Sequence, residues 1–131
     1  MRLALLALAA LAWIAVPVSA RAETNVWDGT IASGFAGGTG EENDPYQIST
    51  AAQLAYLAQK VNAGEAYRYK YIVLTADIDL ANKEWTPIGI YRNSFQGNFD
   101  GRNHTVTRMR ISNSSTDYVG LFGECRRHNI N

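Results

Sequence analysis

The ten residues Tyr71–Leu80, YIVLTADIDL, decide how this chain is read. Ile72, Leu74, Ala76, Ile78 and Leu80 alternate with Tyr71, Val73, Thr75, Asp77 and Asp79. That is the period of two by which a half-buried strand turns one side chain inward and the next outward. Read as one strand, the stretch points Asp77 and Asp79 together away from the core. C-terminal to it, NKEWTPIG (82–89) makes a polar turn and a second apolar visit at Trp85 and Ile88. SFQGNFDG (94–101) brings Phe95 and Phe99, each bounded by Gly. In HTVTRMRI (104–111) the apolar positions are Val106, Met109 and Ile111, and the odd step after Val106 predicts a bend or bulge.

N-terminal to Tyr71 the period is helical. Leu54, Leu57, Ala58 and Val61 recur on one face, Ser49 or Thr50 can cap the start, and Thr50 and Gln53 have capping-box spacing. Gly64 supplies a left-handed residue to end the helix. Further upstream, GFAGGTGEENDPY (34–46) reads as a loop. Its glycines are followed by Glu41, Glu42 and Asp44, which would repel a phosphate; their oxygens suit a weak cation site at most. With no second helix to build crossovers, the short strands predict an all-β arrangement. Segments of about three to seven residues suit the rungs of a solenoid capped by the helix.

The first residues bear on the compartment. Arg2 precedes an apolar run, Leu3 to Val16, and then small residues, with Val18-Ser19-Ala20 and Ala20-Arg21-Ala22 both fitting signal-peptidase cleavage. The run is short for a membrane span, which needs roughly 20 residues. A signal peptide over 1–22 is therefore expected, with the protein secreted or at the cell surface and meeting a membrane only through export. Without Arg2 and Arg21, ten Lys+Arg face twelve Asp+Glu, a formal charge of −2. No basic cluster suggests nucleic acid. Cys125 is the single cysteine, so no internal disulfide can form; it reads as a small apolar residue in a packed layer.

YVGLFG, ending in Gly120-Leu121-Phe122-Gly123, resembles the GLUG motif. The preceding WTPIG and FQGNFDGRNHTVTRMRI, and the upstream DPYQISTAAQLAYLAQKVN, resemble the segments that lead into the first such motif in exported bacterial surface, adhesin-like proteins. The match covers roughly Trp27 to Gly123. The resemblance implies a right-handed parallel β-helix-like solenoid with an N-terminal amphipathic capping helix. It divides the chain into a signal peptide (1–22), a Gly-rich leading segment (23–48), a capping helix (49–64) and first solenoid rungs (65–131). Members usually continue through further repeats, so the leading part of a longer protein, with C-terminal repeats or domains after Asn131, or else a truncated gene product, is expected.

The chemistry is sparse. Asp77 and Asp79 share a strand face, and Asp100 on an adjacent rung would complete an acidic set of the kind that binds Ca²⁺ or does acid–base work. These three are the candidate metal or catalytic residues of an alternative reading, a β-helix polysaccharide lyase or hydrolase. Aspartates at such places also satisfy turn backbone. His104 sits at a turn with no nucleophile beside it, His128 lies near the end, and neither belongs to a His-Glu-x-x-His zinc helix. A third reading is the accessory region of a surface metalloprotease.

Trp27, Trp85, Tyr91 and the tyrosines from Tyr67 to Tyr71 are candidates for a sugar-stacking platform, against the commoner fate of packing. Arg108, Arg110, Arg126 and Arg127 would line up if rungs stack, most simply as a solvated face. Asn103-His104-Thr105 and Asn113-Ser114-Ser115 match glycosylation acceptors, a rule that seldom applies in bacteria. The reading that follows is a non-catalytic exported segment for adhesion or domain presentation. Its candidate partners are host or matrix glycans or proteins, and no cofactor is expected.

Overall fold

A computed structural model of the chain describes residues 25–112, 120–126 and 129–130. The stretch read as a signal peptide (1–22), the Asn113-Ser114-Ser115 acceptor, Arg127 and His128 lie outside the described residues. Among these described residues six strands and one helix follow in the order β1 (Tyr46–Ile48), α1 (Ala51–Asn62), β2 (Tyr71–Leu74), β3 (Ile78–Asp79), β4 (Asn98–Asp100), β5 (Val106–Thr107) and β6 (Asn129–Ile130). All pairing between them is parallel. One sheet has the order β1-β2-β4-β6, and a separate sheet consists of β3 and β5. Tyr46, Ile72 and Phe99 are successive partners across the first three strands, as are Gln47, Val73 and Asp100.

Helix α1 forms where its sequence periodicity and caps both demand it. The Thr50 hydroxyl accepts from the Gln53 amide, and the Gln53 side chain returns a bond to the Thr50 amide, a reciprocal capping box. At the other end Glu65 N–H reaches Lys60 O and Gly64 N–H reaches Val61 O, the paired bonds of a Schellman stop. Gly64 has φ +116°, as such a stop requires. Ala51, Leu54, Ala55, Leu57, Ala58 and Val61 are buried on one face. They meet Ile48, Ile72, Leu74, Ile78, Leu80, Trp85, Ile88, Phe95 and Phe99 in a single apolar cluster. Each large side chain fully removed from water there contributes about 1.5–3 kcal/mol.

Two expectations are corrected here. The all-β solenoid is overturned: the described residues form two small parallel sheets and one helix, a mixed α/β arrangement, and neither sheet closes on itself. The physical reason lies in Tyr46–Ile48, placed by the sequence reading at the end of the Gly-rich leading segment (23–48) with no strand expected there. These residues pair in parallel with β2, so α1 is the crossover between two neighbouring strands rather than a lid placed before the first one.

The decisive stretch Tyr71–Leu80 is likewise not one strand. It pairs as β2 in the larger sheet and, after a bend at Ala76, as β3 in the smaller one. Val73, assigned outward by alternation, is buried along with Ile72 and Leu74. In the 104–111 stretch the chain turns at Arg108, which has φ +54°, and Met109 is exposed instead of joining the core.

Aromatic packing ties the leading loop to this frame. Phe35 stacks on Tyr46 at 4.5 Å between centroids and meets Tyr56 and Tyr67 edge-on at 5.1 and 5.9 Å. Burial drives the Tyr67 hydroxyl well above the ordinary phenol range. Asn62, the last helical residue, joins α1 to the turn that follows Trp85. Its side chain donates to Pro87 O at 3.0 Å and accepts from Gly89 N at 2.9 Å, while its backbone oxygen accepts from the Asn93 side chain at 2.8 Å.

Candidate functional site

The acidic residues singled out in the sequence fall into two environments. Asp77 and Asp79 flank Ile78 at β3 and both meet groups at β5. One Asp77 oxygen accepts from Thr105 N at 3.0 Å and lies 3.1 Å from His104 Nδ1. The Thr105 amide, and then His104, hold the Asp77 carboxyl below the ordinary range. Asp79 takes a bidentate pair from Arg108, with Nε and Nη2 each at 2.8 Å, and also accepts from Ala81 N. Arg108 first, and the Ala81 amide second, lower its pKa. Arg110 continues the row by donating to Asn82 O, and Ser112 bonds the Glu84 carboxylate through both N and Oγ. Residues about 28 apart in sequence are thereby pinned across the small sheet and just beyond it, a pattern that fixes the register.

Asp100 is not part of that row. It ends β4 in the larger sheet, where it is the register partner of Val73. Among the described residues no group of three His, Cys, Asp or Glu is placed to hold a metal ion. The trio of the leading loop does not converge on one point either, since Glu41 pairs with Lys70 at 3.0 Å and Asp44 closes the loop through its backbone.

The ground around Asp100 is concave. Glu42, Pro45, Tyr71, Val73, Asn98, Asp100 and Arg102 line a groove of about 280 Å³ over the outer face of β2 and β4. One Asp100 oxygen accepts from Arg102 N at 2.9 Å, shaping the turn in which Arg102 takes φ +50°. Among the described residues Glu42 has no hydrogen bond or ion pair, and the Arg102 guanidinium has none either. Periodicity could not find this groove, because Glu42 reaches it from the leading loop and Arg102 from a turn.

The aromatic platform is dispersed. Trp27 and Trp85 meet edge-on at 5.8 Å and border a cleft of about 300 Å³ against Ala55, Ala58 and Gln59 of α1. Trp85 is buried, and the Trp27 indole N–H is satisfied by Thr30 O at 2.8 Å. Tyr67 belongs to the aromatic cluster under the leading loop, Tyr71 to the groove, and Tyr69 and Tyr91 are exposed. Arg92 lies over the Tyr91 ring at 5.3 Å.

The Gly120–Gly123 motif is engaged with WTPIG. Phe122 bridges Ile88 in parallel, and Trp85 Nε1 donates to Leu121 O at 3.3 Å. Cys125 packs against the core opposite Phe95, and burial, followed by the charge of Glu124, raises its thiol pKa. Among the described residues no helix is long and apolar enough to cross a membrane.

Two curated relatives match this chain over most of its length. A protein of Evansella cellulosilytica, whose name describes a Gly-rich membrane protein, is 37% identical over 92 residues, covering 68% of this chain and 10% of that protein. Halomucin of Haloquadratum walsbyi is 33% identical over 109 residues, covering 74% of this chain and 1% of that protein. The chain thus spans a tenth or less of the relatives it matches. No protein-family model matches it. No solved structure matches it.

Proposed function

We propose that the chain is a non-catalytic segment of an exported, adhesin-like cell-surface protein of the GLUG-motif kind, built to present a stable outer face or to space other domains. The observation that carries this reading is the fate of the acidic set. Asp77 and Asp79 are engaged by His104, Thr105, Ala81 and Arg108, and Asp100 stands in a different sheet, so the three carboxylates do not form an acid–base pair around one point. The relatives' names, one describing a membrane protein and the other a halomucin, support a surface or membrane-associated location.

The test is fractionation of cells expressing the chain with its own N-terminus, followed by protease shaving. Recovery outside the cytoplasm, sensitive to shaving on intact cells, is expected. Retention in the cytoplasm would sink the surface reading. Release of new reducing ends or unsaturated sugars from polygalacturonate with Ca²⁺ present would sink the non-catalytic one.

A further inference from the structure

The register of β2 and β4 builds a small two-toned platform. Tyr71 partners Asn98 and Val73 partners Asp100, and residues two apart on a strand share a face. The four side chains therefore stand at the corners of a patch about 4.8 Å across the strands and about 6.6 Å along them. The β2 column supplies an aromatic ring and an isopropyl group, and the β4 column supplies an amide and a carboxylate. Val73 is only 4% exposed although it is on the outer side, so it forms the floor of a recess. Glu42 and Pro45, from the leading loop, and Arg102, from the turn after β4, complete its lining.

The charges narrow the ligand. Two carboxylates oppose an anion and a guanidinium opposes a cation, whereas a neutral molecule rich in hydroxyls can donate to Glu42 and Asp100 and accept from Arg102. The apolar column adds a requirement for a flat C–H face. A pyranose with equatorial hydroxyls has both: axial C–H bonds on its faces and vicinal hydroxyls at its edge. A volume of about 280 Å³ lies just below the usual range of small-ligand sites, roughly 300–1,000 Å³, and suits one or two rings rather than a long chain held end to end.

We propose that the groove over β2 and β4 is a binding subsite for a neutral, equatorially hydroxylated pyranose unit of a glycan, with Tyr71 and Val73 under the ring and Glu42, Asn98, Asp100 and Arg102 on its hydroxyls. This rests on the non-catalytic surface reading above and names the ligand class for it.

The experiment is an NMR titration of the full ¹⁵N-labelled chain with cellohexaose, run beside hexagalacturonate and the glucosamine hexamer as anionic and cationic pyranose comparators. Saturable shifts confined to residues 42–45, 71–73 and 98–102 are expected, strongest for cellohexaose. Glu42→Ala, which removes no hydrogen bond or ion pair among the described residues, is expected to weaken binding about tenfold while leaving the thermal midpoint unchanged. Asp100→Asn should weaken it by a similar factor. Absence of shifts with cellohexaose, equal binding by Glu42→Ala, tighter binding of either charged hexamer, or shifts produced only by a peptide would each overturn the proposal. Surface location with no binding removes the subsite alone. Shortening of cellohexaose during the titration removes the non-catalytic reading and leaves the subsite standing.

Discussion

The two sheets place their charged groups differently. In the small sheet the carboxylates at β3 are engaged: Asp77 by His104 and Thr105, Asp79 by Arg108 and Ala81. On the outer face of the larger sheet, Glu42 and the Arg102 guanidinium border a recess without partners among the described residues. Beneath them the larger sheet rests on Ile48, Ile72, Leu74 and Phe99, all buried. Its stability therefore comes from packing, with no ion pair asked of Glu42 or Arg102 among the described residues. The two-residue strands of the small sheet carry less apolar surface and rely more on side-chain pairing across the strands. Substitutions in the two regions should accordingly differ in size and in salt dependence.

The largest effect is expected from Phe99→Ala. Phe99 is buried, partners Ile72 in the sheet and packs edge-on against Phe122 at 5.1 Å. Deleting such a ring costs about 3–5 kcal/mol through lost transfer energy and the cavity left behind. Urea denaturation should show that loss with little dependence on salt, and a change below about 1 kcal/mol would contradict the packing account of the larger sheet.

Asn62→Ala comes next. The substitution leaves Pro87 O and Gly89 N without the side-chain partners that tie the helix end to the following turn. About 1–3 kcal/mol is the expected loss, because a partly buried donor and acceptor lose their bonds together. Hydrogen exchange should report it first at the amide of Gly89. Thr50→Ala should follow at about 1 kcal/mol, the usual cost of losing an N-cap side chain. Melting curves with Gln53→Ala alone and combined with Thr50→Ala would test whether the two halves of the capping box act as one unit. Coupled partners give less than the sum of the single losses.

The helix was legible in the sequence because its determinants are local: one apolar face, a Thr50/Gln53 box and Gly64. The burial of Ile72, Leu74, Ile78 and Leu80 was legible for the same reason, as alternation over ten residues. What local pattern could not supply was which strand pairs with which. The three residues Tyr46–Ile48 are too short to show a period, and missing them hid the parallel β1–α1–β2 crossover that makes the fold mixed α/β. The bend at Ala76 was invisible too, since alternation continues through it while the backbone moves from one sheet to the other. At this point the structure parts Asp77 and Asp79, at β3, from Asp100, in β4. Asp100 belongs with Glu42 and Arg102, residues 58 and 2 positions away, through register and loop closure that no spacing rule encodes.

The smallest effect, and the sharpest on the comparison, concerns the acidic row of the small sheet. Asp77 and Asp79 are held below the ordinary carboxylate range by their partners, so their folded-state pKa values lie under the unfolded value of about 3.9. A carboxylate of that kind adds stability that is fully present above the unfolded pKa and is lost as pH falls through the folded one. The thermal midpoint of the parent chain should therefore fall as pH drops below about 4, by protonation of these groups among others. The Asp77→Asn, Asp79→Asn double variant should be slightly less stable than the parent near pH 7 and should show a shallower acid decline. Added salt should narrow the gap between the two at neutral pH, because exposed pairs are screened. A double variant as unstable as Phe99→Ala, or one whose deficit ignores salt, would mean that the small sheet depends on this row as strongly as the larger sheet depends on its core. The division of labour between the two sheets would then be wrong.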